Sequence, residues 1–293
     1  MAAVIEVEKL SKYYGKNRGI IEVDLRVDKG DVFGFIGPNG AGKSTLIRTL
    51  LGLISPTSGT ARVLGLPAGP SSTEILARTG YMPGEAFFYD RLRVGEVIAL
   101  ASRARGGGHA AYAGQLCERL ELDPGRRIRE LSLGNRKKVS IVCALQHRPE
   151  LILLDEPTGG LDPLMQQVFW QIIAEQQQGG ATIFLSSHVL SEVQQHCRRA
   201  AIIREGRIIV DDTIENLART SARRVTLRGL TAAPALDGIV DVQTVGSGVS
   251  FLYSGPVAEL LAALQGLPLS DLTIVEPELE ELFLHFYRNG GTV

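Results

Sequence analysis

The chain has 293 residues, 44% of them apolar and 22% charged, the profile of a globular protein long enough for two domains. Its 31 Lys and Arg against 32 Asp and Glu leave a net charge of −1, which excludes bulk electrostatic attraction to nucleic acid or acidic lipid. The three cysteines, Cys117, Cys143 and Cys197, lack metal-ligand spacing and read as reduced structural thiols of the cytosol. No apolar stretch reaches the length of a membrane span, and Met1–Glu6 is not a signal peptide, so any membrane role needs a second chain.

In chain order, Val4–Val7 is a short β-like run. Ile21, Val23, Leu25 and Val27 then alternate with Glu22, Asp24 and Arg26, the period of a strand with one wet face. The apolar run Val32–Ile36 leads into Gly37-Pro38-Asn39-Gly40-Ala41-Gly42-Lys43-Ser44-Thr45. That is GxxxxGK[ST] after a buried strand, with a helix opening at Lys43 and running to about Leu51. Small residues let the loop's N–H groups wrap phosphate oxygens, and the helix N-terminus adds unpaired N–H groups. Lys43 is the residue to reach β- and γ-phosphates, and Ser44 the hydroxyl to ligate Mg²⁺.

A short strand is expected at Thr60–Val63. The stretch 71–150 reads as mainly helical, with helices at Val94–Arg105, Tyr112–Leu122 and Asn135–His147. Leu151–Leu154 is a continuous apolar run, the mark of a strand buried on both faces. Helix and strand then alternate through Pro163–Gln178, Thr182–Leu185, Val189–His196 and Ala200–Arg204, and Glu205-Gly206 turns into Ile208–Val210. This order predicts an α/β core. Beyond Asp212, strands at Val225–Arg228, Ile239–Val245, Val249–Tyr253 and Leu272–Val275, with helices at Val257–Gln265 and Leu279–Tyr287, read as a small α+β appendix. No internal repeat is present, and there is only one phosphate-binding loop.

Asp155-Glu156 closes the Leu151–Leu154 strand. A carboxylate at Asp155 suits Mg²⁺ opposite the loop serine, and Glu156 is placed to polarise an attacking water. His188 follows another apolar strand, at the sheet edge where α/β proteins bind ligands, and suits a γ-phosphate or water contact. Leu131-Ser132-Leu133-Gly134-Asn135 opens a helix with Ser132 as N-cap and Gly134 open to close phosphate approach.

Together these residues resemble the ATP-binding subunit of an ABC transporter over about residues 4–210. Gly37–Thr45 and Leu151–Glu156 match the Walker A and Walker B segments. Leu131–Asn135 is similar to the signature usually seen as Leu-Ser-Gly-Gly-Gln. Gly160-Leu161-Asp162 looks like the D-loop, His188 like the switch histidine, and Tyr14 like the aromatic that stacks on adenine. The resemblance implies a P-loop ATPase core at 1–212 with an inserted helical subdomain at about 71–150, and an accessory α+β domain at 213–293. It implies ATP and Mg²⁺ as ligands, with Ser44 and Asp155 toward the metal and Glu156 and His188 catalytic. It further implies two copies, or this chain and a paralogue, paired head to tail. Each ATP then lies between one Walker A and the other subunit's Ser132, Gly134 and Asn135. The implied partner is an integral membrane permease at the cytoplasmic face of the cell membrane, where this chain would sit peripherally, and no nucleic acid is involved.

Two departures from the family pattern stand out. The Q-loop glutamine expected after Gly80–Pro83 is replaced by Gly84, then Glu85, and the signature carries Leu133 and Asn135 where Gly and Gln are usual. Both are similar to variants in the subfamily that serves ABC-2-type exporters, as is the ending Glu278–Phe283. That favours export of drugs, antibiotics, lipids or polysaccharides over import. The aromatics Phe87, Phe88 and Tyr89, near Asp90, Arg91 and Arg93, read either as a groove for the membrane partner or as core of the helical subdomain. Two alternatives remain: a non-transport ABC ATPase, which would usually carry paired ATPase units or long coiled coils, and an import ATPase, which would usually keep the Q-loop glutamine.

Overall fold

The computed structural model describes residues 2–70, 72–218, 222–246 and 248–275. The helix expected at Leu279–Tyr287 and the segment Glu278–Phe283 lie outside the described residues. The chain forms two compact units, residues 1–211 and 212–293.

The first unit opens with β1 (Ala3–Tyr14), β2 (Asn17–Asp28) and β3 (Val32–Ile36), followed by α1 (Lys43–Leu50), β4 (Ser58–Val63) and β5 (Leu66–Pro67). Next come α2 (Thr73–Arg78), β6 (Thr79–Met82), α3 (Val94–Arg103), α4 (Ala110–Arg119) and α5 (Leu133–Leu145). β7 (Leu151–Asp155), α6 (Pro163–Gln178), β8 (Thr182–Ser187), α7 (Leu190–His196), β9 (Arg199–Arg204) and β10 (Arg207–Thr213) complete it. A six-stranded sheet has the order β10-β9-β3-β8-β7-β6, in which β9, β3, β8, β7 and β6 run parallel to one another. A four-stranded antiparallel sheet has the order β2-β1-β4-β5. Helix α1 packs against β7 of the first sheet and against β2 and β4 of the second. The shared core holds Ile5, Leu10, Ile20, Val23, Phe33, Phe35, Leu46, Ile47 and Leu50, all fully buried. Phe184 of β8 stacks on Phe33 with centroids 5.9 Å apart.

Three departures from the sequence pattern have local causes. β1 runs well past Val7 because a register shift between Val7 and Leu10, with Lys9 at φ 44°, resets the two-residue period. The bulge is held by Asp24, whose carboxylate accepts from the Lys9 N–H at 2.8 Å. The stretch 71–150 also contains β6, which pairs with β7 in the main sheet. Four residues including a glycine give too little apolar patterning to betray a strand. The short helix α2, just before β6, was likewise hidden by its length.

The second unit contains α8 (Ile214–Ala218), β11 (Ala222–Arg228), β12 (Ile239–Val245), β13 (Gly248–Ser254), α9 (Val257–Leu264) and β14 (Asp271–Val275). Its strands form one antiparallel sheet in the order β12-β13-β11-β14. Alternate residues Val225 and Leu227 on β11, and Val249, Phe251 and Tyr253 on β13, bury one face. Leu260 and Leu264, one helical turn apart on α9, cover it. The three cysteines of the chain are free thiols, and burial pushes that of Cys143 up to about 12.

Candidate nucleotide site

Register in the parallel sheet fixes where the loops emerge. Met82 of β6 lies beside Leu154 of β7, Asp155 beside Ser186 of β8, and Ile36 of β3 beside Ser187. The carboxyl ends of four strands therefore deliver Pro83-Gly84, Glu156, His188 and Gly37 to one edge, the ligand edge of an open α/β sheet. A cavity of about 760 Å³ opens there, lined by residues 38–40 and 42–45 of the loop with Arg18, Arg48, Glu85, Asp155, Glu156 and His188.

Gly42 caps α1 at φ 115°, a backbone angle that L side chains rarely adopt. This turn aims the loop amides and the helix N-terminus into the cavity. Gly37 serves through its carbonyl, which accepts from Lys43 Nζ at 2.6 Å, while Pro38 O accepts at 3.2 Å. Ala41 is buried and ties the loop by its N–H to Pro38 O at 3.2 Å. Ser44 Oγ donates to Asp155 Oδ2 at 2.6 Å, and Ser186 Oγ donates to Asp155 Oδ1 at 2.9 Å. Asp155 is buried and fully engaged by hydroxyls. These are hard oxygen donors converging beside a phosphate-binding loop, a donor set that fits Mg²⁺.

Glu156 takes the left-handed backbone angle φ 50°, which turns the chain sharply at the end of β7. Its Oε2 faces His188 Nδ1 at 2.5 Å, and its Oε1 faces Lys43 Nζ at 3.3 Å. A carboxyl, an imidazole and an amine thus meet at the mouth of the loop. The strand end bearing His188 is braced from behind: Glu192 accepts from Ser187 Oγ at 3.0 Å and from Thr158 Oγ1.

Ser132 caps α5 by accepting from the Asn135 N–H at 3.3 Å, and Asp162 caps α6 by accepting from the Met165 N–H at 3.0 Å. A Cβ at Gly134 would meet Gly160 O at 2.5 Å, so the starts of these two helices touch through backbone. Ser132, Gly134, Asn135 and Asp162 do not line the loop cavity. A second concavity of about 900 Å³ begins at Glu156 and His188 and runs past Gly160, Gln166 and Trp170. Tyr14 is half exposed and borders the loop: a Cβ at Gly19 would lie 3.1 Å from its ring and 2.9 Å from Thr45 Cγ2. Phe87 and Tyr89 are 88% and 74% exposed, so they do not fill a core.

Sequence reasoning missed four residues here. Arg18 and Arg48 add cations to the cavity, Ser186 holds Asp155, and Lys137 donates to two backbone carbonyls of the site. None of the four stands out in the sequence: Lys137 lies in the polar run Asn135–Lys138, and Ser186 at the polar end of its strand beside Ser187.

The ABC transporter family model matches residues 20–159, from within β2 to just past β7. The bacitracin transport ATP-binding protein of Bacillus licheniformis is 31% identical over 310 aligned positions that cover 100% of each chain. The daunorubicin resistance ATP-binding protein of Streptomyces coeruleorubidus is 34% identical, covering 96% of this chain and 95% of that one. Among solved structures, an ATP-binding subunit of an ABC transporter superposes with a TM-score of 0.70 at 31% identity, covering 74% of this chain and 92% of its own. With this phosphate loop, this carboxylate pair and full-length likeness to such proteins, the chain belongs to the ABC transporter family, as an ATP-binding protein that hydrolyses ATP.

Proposed function

We propose that this chain is the energising ATPase of a membrane exporter. In this reading two copies, or this chain and a paralogue, close head to tail over two ATP molecules. The loop residues 37–45 hold the phosphates, and Lys43 meets the β- and γ-phosphoryl oxygens. Ser44 and Asp155 would hold Mg²⁺, which when bound supplies neutralising charge on those oxygens. Glu156 accepts the proton of the attacking water, and His188 orients Glu156 and the γ-phosphate. Tyr14 stacks on the base. Ser132, Gly134 and Asn135 serve the ATP held by the other subunit, with Asp162 at the junction. Glu85 reaches the cavity in place of the missing glutamine. The groove running from Glu156 past Gly160 and Trp170 supports a partner on that side.

The observation that carries this reading is the Glu156 carboxylate, held between His188 at 2.5 Å and Lys43 at 3.3 Å on the sheet's ligand edge. A γ-phosphate bridging two subunits has strong differential affinity for the closed pair, so its loss reopens them. Among the described residues no helix is long and apolar enough to cross a membrane; in this reading the transport path belongs to a separate permease. The exposed Phe87 and Tyr89 suit its docking segment. The bacitracin and daunorubicin relatives favour amphiphilic antibiotics or lipid-like compounds as cargo. The chain would then sit peripherally at the cytoplasmic face of the cell membrane, with the unit at 213–293 as its accessory domain.

The test is affinity purification of this chain from native membranes, with mass spectrometry of its companions. One multispan membrane protein in stoichiometric amount is the expected result. Recovery of soluble partners alone, in detergent that preserves known membrane complexes, would overturn the transport reading in favour of a non-transport ATPase.

A further inference from the structure

Lys137 sits on α5, one turn beyond Gly134, and is only 4% exposed. Its Nζ donates to Gly84 O at 2.9 Å and to Glu156 O at 2.7 Å. Burial pushes this ammonium below the ordinary lysine range, against the pull of the Asp155, Glu156 and Glu192 carboxylates. A buried charge whose acceptors are two neutral carbonyls is costly to keep, and a plain apolar side chain would fill the space at less cost.

What those carbonyls belong to gives the charge its use. Glu156 stands at φ 50°, a conformation that persists in a non-glycine residue only when its surroundings hold it. Its N–H donates to Ser186 O at 2.9 Å, and its C=O is held by Lys137. Both peptide groups around the strained Cα are thereby fixed, and the direction of the carboxylate follows from them. The other carbonyl belongs to Gly84, which stands where a glutamine is usual and has no side chain to offer. The loop after β6 is therefore tied to the Glu156 backbone through Lys137 Nζ.

We propose that Lys137 is a positioning residue for ATP hydrolysis, an ammonium clamp that joins the Gly84 loop to the peptide after Glu156 and so keeps the Glu156 carboxylate aligned. This rests on Glu156 as the base. Lys137 does not line the loop cavity; it acts through backbone, and a shift of residues 83–85 reaches Glu156 through it.

The test compares the full-length wild type with Lys137→Met, which keeps the unbranched stem and removes the donor, and with Lys137→Gln, which restores donors without charge. Steady-state MgATP hydrolysis, thermal midpoint, and amide hydrogen exchange of peptides covering 83–86 and 155–159 are read for each. Lys137→Met is expected to lower kcat by about tenfold or more with KM within about threefold. Exchange should rise in those two peptides only, the midpoint should hold within about 3 °C, and Lys137→Gln should recover part of kcat. Unchanged kcat, or unchanged exchange in the two peptides, would overturn the clamp. So would a joint fall of kcat, midpoint and protection along all of α5 without rescue, which marks a packing role. Glu156→Gln run in parallel separates the two ideas. If it stays fully active, the base assignment fails, while exchange still judges the clamp. If it is inactive while Lys137→Met is active, the clamp alone fails.

Discussion

His188 Nδ1 lies 2.5 Å from Glu156 Oε2, a contact that fixes the carboxylate from the side opposite Lys43. Glu156→Gln keeps the shape of this arrangement and removes the proton acceptor. Turnover should fall by a factor of about 10² to 10³, while ATP affinity changes little. With hydrolysis blocked, ATP should drive a stable dimer, seen by light scattering as a doubling of mass. Full activity in this variant would remove Glu156 as the base.

Ser44 Oγ and both Asp155 oxygens form one hydrogen-bonded set beneath the loop. Ser44→Ala removes one hard donor without unfolding the buried Asp155, which keeps Ser186. The gain in ATP affinity on adding Mg²⁺ should shrink by about tenfold in this variant, while affinity in excess chelator stays near wild type. Chelation of Mg²⁺ should stop turnover in both proteins. An undiminished Mg²⁺ effect in Ser44→Ala, measured by calorimetry, would remove Ser44 from the metal site.

Gly134→Ala places a methyl 2.5 Å from Gly160 O, a backbone atom that cannot swing away. The contact forces α5 and the segment before α6 apart, at a cost of about 1–3 kcal/mol in urea denaturation. Gly114→Ala is the control. It lies on the exposed face of α4 with nothing within 4 Å of the added carbon, and should stabilise by about 0.5–1 kcal/mol. Equal midpoints for the two variants would contradict the close approach.

Much of this site was legible because its chemistry is written in short contiguous runs. The loop at 37–45 and the pair Asp155-Glu156 each follow a wholly apolar strand, so pattern and motif confirm each other. Lys137 and Gly84 lie 53 residues apart in sequence yet share a hydrogen bond, and only the packing of α5 against β6 brings them together. Ser186 was hidden for a related reason: its partner Asp155 is set by parallel register, which short apolar runs do not specify. Element type survived better than element length. β6 was missed because its few residues carry almost no period. The second half of β1 was missed because the bulge at Lys9 interrupts the alternation.

His147, just past α5, gives the fold an acid sensitivity that is separate from the nucleotide site. Burial, then the Arg105 charge and His109, push its imidazole down to about 4, from 6.5 in an unfolded chain. Its ring faces that of His109 at 6.2 Å, and neither of its nitrogens has a side-chain partner in the described residues. Between pH 6.5 and 4 the unfolded chain binds a proton that the folded chain refuses, so stability is complete above 6.5 and is lost as pH falls through this window. At pH 5 the exposed Arg78–Glu150 pair still holds, because Arg78 keeps the Glu150 carboxyl below its usual range. The urea midpoint of the wild type should therefore drop from pH 7 to pH 5, and His147→Gln should drop less. If His147→Gln tracks the wild type, the imidazole is protonated in the folded protein at pH 5 and its surroundings are more open than the packing around Arg105 implies.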